Sequence, residues 1–191
     1  SIKFYLDIFG AESLKIAEKL KVDGIKIHPT DLNNYSFLKQ VANSKIKKIF
    51  IGISGSYFSE ILKVLKIFKR KKVVIMFGFQ SYPTPLFANQ IKRINYIKNY
   101  ISNLKINSEL EYGFADHSLP DNNFSNLASI LSIGAGVQYV EKHFTIRCGR
   151  KLEDSESAIF PDEFKKYKEL LEAAFQIYGK VHFKKDDLGM S

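Results

Sequence analysis

The sequence contains one cysteine, no tryptophan, two methionines and five prolines. The lone Cys148 excludes an internal disulfide framework and suits a reducing cytoplasm. It has no partner histidine at nucleophile-like spacing, so it is not read as catalytic. No apolar run approaches a membrane span and no secretory signal is visible, so no membrane partner is expected. There is no G-x-G-x-x-G after the first strand and no Walker motif, which leaves a nucleotide fold without support. Internal repeats and linker-like tracts are lacking too. Acidic residues are outnumbered, 20 against 29 Lys and Arg, for a formal charge of +9. That excess fits an anionic substrate or nucleic acid. However, lysines such as Lys63, Lys66 and Lys69, or Lys165, Lys166 and Lys168, are scattered along helical stretches. They read as solvated helix faces, and no nucleic-acid partner is expected.

The 191 residues, 45% of them apolar, suffice for the core of one domain or part of a larger one. Strand-like segments are expected at Ile2–Leu6, Val22–His28, Lys47–Ile53, Val73–Phe77, Glu111–Ala115 and Val137–Phe144. Helical spacing falls between them, clearest at Phe58, Ile61, Leu62, Leu65 and Phe68. A helix through Phe124, Leu127, Ala128 and Leu131 is stopped by Gly134 and Gly136, and a last one opens at Pro161. Arg147 to Ile159 reads as polar loop. Strand and helix thus alternate six times without a hairpin signal. This predicts an α/β fold with a parallel sheet and right-handed crossovers. Lys26, Asp31, Gln80, Tyr82, His117 and His143 cluster at or just past strand C-termini. Sites occupy that end in (β/α)₈ barrels and in open α/β sheets alike.

The most informative stretch is Val140-Glu141-Lys142-His143-Phe144-Thr145-Ile146. On a strand, Glu141, His143 and Thr145 share one face, and Lys142 and Phe144 the other. Phe114-Ala115-Asp116-His117-Ser118 ends another strand 26 residues upstream. Two strand-end histidines admit a divalent metal between them, or two imidazoles satisfied by their neighbours. Lys26, inside an apolar strand, faces an anionic ligand or pairs with a carboxylate such as Glu141. Tyr82 lines a site or packs under Pro83-Thr84-Pro85. Asp116 orients His117 or caps a loop. His28 and His182 carry no motif and read as structural or surface.

The ordered set Lys26-Ile27, Tyr82-Pro83-Thr84-Pro85, Asp116-His117-Ser118 and Glu141-Lys142-His143-Phe144-Thr145 resembles the sialic acid synthase family. The resemblance runs over almost the whole chain. It implies a TIM-type barrel, here incomplete, with six β/α units matching strands three to eight and the family's small antifreeze-like domain absent. It implies condensation of phosphoenolpyruvate with an N-acyl hexosamine such as N-acetylmannosamine, in a cytoplasmic homodimer. His117 and His143 fall on the family's ligands for Mn²⁺ or Mg²⁺. Lys26 falls on a lysine contacting phosphoenolpyruvate, and Tyr82 on a tyrosine lining the pocket. Asp154 falls on a carboxylate that meets sugar hydroxyls. Asp31 stands where the family usually has Glu. Several positions that hold phosphoenolpyruvate in the family carry Thr, Ser or Asn, whereas Asp7, Pro29, Gly52, Gln80 and Ala115 stand here. Pro29, Gly52 and Ala115 bring no side-chain donor. Ser54, Ser56 and Ser118 are candidates to replace them. Two function classes follow: an active synthase barrel, or a degenerate barrel kept as a carbohydrate-binding or interaction module.

Overall fold

The computed structural model describes residues 2–104, 106, 109–120, 124–146 and 152–179. Seven parallel strands follow one another in a single sheet, in chain order. The elements are β1 (Tyr5–Ile8), α1 (Ala11–Leu20), β2 (Gly24–Ile27), α2 (Tyr35–Asn43), β3 (Lys48–Gly52), α3 (Phe58–Ile67) and β4 (Lys72–Phe77). They continue as α4 (Lys92–Ser102), β5 (Leu110–Asp116), α5 (Leu127–Gly134), β6 (Tyr139–Phe144), β7 (Ala158–Ile159) and α6 (Pro161–Tyr178).

The period-two pattern of each strand sorts its side chains between two faces. Ile25, Ile27, Ile49, Ile51, Val73, Ile75 and Phe114 are buried toward the helices in one large core. Phe50, Val74, Met76 and Ala115 form a second, small cluster on the other face, with Tyr5 and Tyr139 against it. That face is concave. The rings of Phe50 on β3 and Tyr139 on β6 lie 5.3 Å apart, edge to face. Three strand spacings in a flat sheet would separate them by roughly 14 Å. Lys26 on β2 likewise meets Glu141 on β6, at 2.6 Å. The sheet is therefore curled into part of a barrel, and its side chains cross the interior.

The structure corrects the sequence reading in three places. The sheet has seven strands rather than six, because Ala158 and Ile159 pair with His143 and Phe144 inside the segment read as loop. A two-residue strand carries no readable alternation, and only the open edge of β6 makes it one. The first strand runs from Tyr5 to Ile8 rather than from Ile2, which is exposed. Finally, α5 begins at Leu127 and buries Ala128, Ser129, Ser132 and Ile133, while Phe124, Leu127 and Leu131 are exposed. Small residues allow α5 to approach the sheet, and a hydrogen bond from Ser129 to Asp116 fixes that face inward. Among the described residues no helix is long and apolar enough to cross a membrane. Cys148 and His182 lie outside the described residues.

Candidate active site at the mouth of the barrel

β5 and β6 are in register with Ala115 opposite Glu141 and Asp116 opposite Lys142. The next rung brings His117 beside His143. Their rings meet edge to face, 5.1 Å between centroids. Glu141 lies one inward position below His143. The ligand atoms of His117, Glu141 and His143 all fall within 4.8 Å of one another. His117 Nδ1 lies 2.9 Å from the carbonyl oxygen of Phe79, so it carries the proton and leaves Nε2 with the lone pair. Burial lowers the pKa of His117, against the Phe79 hydrogen bond that favours the charged ring. A neutral imidazole is the form that ligates a metal. Two nitrogens and a carboxylate oxygen, with room for exogenous ligands, suit a divalent cation such as Mn²⁺ or Mg²⁺. The chain's residues fit such an ion, and the donor set does not select one.

The loop after β4 closes over this corner. Thr84 is buried; its N–H donates to the His117 carbonyl at 2.8 Å and its hydroxyl donates to Phe79 and Ser81. So held, the loop places the Tyr82 ring 4.5 Å from His117 and 5.4 Å from His143. Burial raises the Tyr82 pKa, with the Asp154 carboxylate adding to it. Asp154, in a left-handed conformation (φ 57°), sets a carboxylate oxygen 4.0 Å from His143 Nδ1.

Lys26 sits across the interior, between the Glu141 carboxylate at 2.6 Å and the Asp7 carboxylate at 3.8 Å. Burial works against its charge, but the two carboxylates outweigh that and hold its pKa above the ordinary lysine value. Burial raises the Asp7 pKa, opposed by Lys26. The carboxylate pairing that the sequence admitted for Lys26 is thus present, and Lys26 still lines the hollow beside His117 and Tyr82.

That hollow also takes in Pro29, Gly52, Gln80 and Ala115. A Cβ on Gly52 would come within 2.8 Å of Pro29 Cδ, so the proline ring occupies the space the glycine leaves. Ser54 lines the hollow, whereas Ser118 is buried beneath Pro83 and Pro85. Asp31 follows β2 on a single 3₁₀ turn, Pro29–Asp31, and is not among the lining residues. His28, which the sequence places as structural or surface, lines the hollow, 2.9 Å from the Gln80 side-chain nitrogen. Its period-two relation to Lys26 was the available signal.

Asp116 does not turn toward His117. It points to the helix face, fully buried, and accepts from Ser118 N–H, Ser129 Oγ and Lys142 Nζ, the last at 3.3 Å. Tyr167 of α6 joins through Ser129, at 2.7 Å. Burial lowers the Lys142 pKa, offset in part by Asp116. Inward alternation thus supplies the site, and outward alternation ties the same two strands to α5 and α6.

A model of the NeuB family matches residues 1–183. The chain belongs to the NeuB family. Among its relatives are an uncharacterised protein of Methanocaldococcus jannaschii, 29% identical over 78% of this chain, and a pseudaminic acid synthase of Campylobacter jejuni, 27% identical over 82%. The matches cover 42% and 43% of those proteins, so this NeuB-family chain spans less than half the length of the curated relatives it matches. The fold agrees with solved structures. A Leptospira borgpetersenii N-acetylneuraminic acid synthetase superposes with a TM-score of 0.81 at 23% identity, over 98% of this chain and 63% of that one. A Thermotoga maritima DAHP synthase superposes with a TM-score of 0.70 at 15% identity, over 95% of this chain and 53% of that one. The barrel expected from the sequence is thereby established.

Proposed function

We propose that this barrel condenses phosphoenolpyruvate with an N-acyl hexosamine, N-acetylmannosamine or a close relative, to give a sialic or related nonulosonic acid. The observation that carries the reading is the convergence of His117, Glu141 and His143 under Tyr82, beside a hollow lined by Lys26. Family membership and the synthases among the relatives support the reaction class. In this reaction carbon 3 of phosphoenolpyruvate bonds to the sugar aldehyde carbon, whose oxygen gains a proton. Water then adds at carbon 2, and the carbon 2–oxygen bond to phosphate breaks as phosphate leaves. When bound, a divalent cation supplies Lewis acidity toward the aldehyde oxygen. His117, Glu141 and His143 would hold it. Tyr82 walls the site against water, Asp154 receives sugar hydroxyls, and Lys26 holds the Glu141 carboxylate in place. The test is phosphate release by the full-length protein with phosphoenolpyruvate, N-acetylmannosamine and Mn²⁺. Turnover abolished by His143→Ala supports the reading.

A second reading, a catalytically inactive carbohydrate-binding barrel, is favoured by the Pro29 ring seated on Gly52 and by Ala115, which remove side-chain donors from the hollow. Absence of turnover with every hexosamine tested, alongside measurable sugar binding, would select it.

A further inference from the structure

The metal corner is built on one face of β5 and β6, and a second pair of charges lies directly behind it on the other face. Asp116 precedes His117 and Lys142 precedes His143, so alternation sends these two toward the helices while the histidines point inward. The pair is in register, Asp116 opposite Lys142, at the last rung of the β5–β6 ladder. Its side chains are 0% and 3% exposed. A salt bridge so deeply buried gains little net stability over apolar side chains of similar volume. What it adds is a fixed direction, and here that direction is toward the backbone that carries His117.

Past that rung three further hydrogen bonds hold the end of β5. Thr84 N–H donates to the His117 carbonyl at 2.8 Å. Ser118 N–H turns back onto Asp116 Oδ1, also at 2.8 Å. Lys142 Nζ donates to the Ser118 carbonyl at 2.8 Å, and to Asp116 Oδ1 at 3.3 Å. Lys142 thus grips β5 on both sides of His117, from the residue next to His143. On its far side β6 is fixed in turn, with His143 opposite Ala158 of β7 and Thr145 N–H on the Ile159 carbonyl at 3.0 Å. Asp116 is anchored to α5 by Ser129 Oγ, which the Tyr167 hydroxyl of α6 meets at 2.7 Å. The separation of the two imidazoles is therefore governed from behind, by a cation of β6 on the backbone of β5. Binding side chains are effective when held to within about 0.5 Å, and the groups around them supply that constraint.

We propose that Lys142 and Asp116 are positioning residues of the metal corner: the Lys142 ammonium, clamped on Asp116 and on the Ser118 carbonyl, sets the spacing of His117 and His143. The proposal rests on the metal-assisted synthase reading, and the experiment separates the two. Mn²⁺ affinity of the full-length protein is measured by titration calorimetry, alongside its melting temperature and the imidazole nitrogen chemical shifts of the metal-free protein. Lys142→Met strands the Asp116 charge, so it tests folding as much as placement. The double variant Asp116→Asn/Lys142→Met removes both charges, keeps an acceptor for Ser118 N–H and lacks the tie to the Ser118 carbonyl. It should recover most of the melting temperature lost in Lys142→Met. It should nevertheless bind Mn²⁺ about 10- to 100-fold more weakly than wild type, the loss typical when a group that orients a ligand is removed. The two His117 ring nitrogens, one protonated and one bare in the wild type, should shift toward averaged values. Tyr167→Phe trims the far end of the network; it should lower the melting temperature and leave Mn²⁺ affinity unchanged. Wild-type affinity in the double variant, or an equal loss in Tyr167→Phe, makes the pair merely structural, overturns the proposal and leaves the synthase reading standing. A wild-type protein that does not bind Mn²⁺ overturns both.

Discussion

Lys26 on β2 and Glu141 on β6 hold each other at 2.6 Å although 115 residues and three intervening strands separate them. The pair spans the interior of the curled sheet. It couples the first strands to the strand that carries His143.

Lys26→Met is therefore expected to cost more than Glu141→Gln. The methionine leaves two carboxylates facing each other, while the glutamine leaves Lys26 its Asp7 partner. Breaking a buried pair costs about 3–5 kcal/mol. Both side chains keep some exposure, 19% and 30%, so about 1–3 kcal/mol is expected for Lys26→Met. Urea unfolding checks the order; equal costs would show that Asp7 plays no part.

His143→Ala should lower Mn²⁺ affinity by more than the roughly 10–100-fold typical of losing an outer-shell partner. The far-ultraviolet circular dichroism should not change, because His143 is only half-buried at a strand end. Titration calorimetry and the spectrum test the two halves separately. Unaltered affinity would remove His143 from the metal corner.

His117 makes stability depend on pH. Burial lowers its pKa below the ordinary 6.5 in the folded protein. The unfolded chain therefore takes up a proton before the native one does. The contribution is fully present above about pH 6.5 and is lost as pH falls from there toward the folded value. Metal binding should weaken in the same direction, as protons compete for the imidazole. Unfolding free energies from about pH 8 to 5 should show a downward slope that His117→Gln reduces.

Gly52→Ala should destabilise the protein by about 1–3 kcal/mol, as overpacking does. The added methyl would meet Pro29 Cδ at 2.8 Å. Pro29→Ala should relieve most of that cost, so a double-mutant cycle should be strongly non-additive. Additive costs would mean that the two residues do not share the space.

Lys142→Met should be the most damaging of these changes, at about 3–5 kcal/mol, because it strands a buried carboxylate. Asp116 is 0% and the Lys142 side chain 3% exposed. Loosening should reach α6 through Ser129 and Tyr167. Faster amide exchange in α5 and α6 than in α2 and α3 is the expected signature.

The sequence alone determined a good deal of this protein. Period two placed Glu141 and His143 on one face of β6 and Lys142 on the other, and the alternation of apolar strands with amphipathic helices set a parallel sheet. Polar residues at strand ends marked the functional end. These are local properties, repeated every two or about four residues, and they survive in a one-dimensional reading. What remained for the tertiary structure depends on curvature and register. Only curling brings Lys26 to Glu141 and Phe50 to Tyr139. Only the β5–β6 register aligns His117 with His143. Ala158–Ile159 becomes a strand only because β6 offers it an edge. His28 showed no motif and joined the hollow because three strand ends converge there. Contacts between residues so distant in sequence follow from how the sheet closes, and no local period encodes that closure.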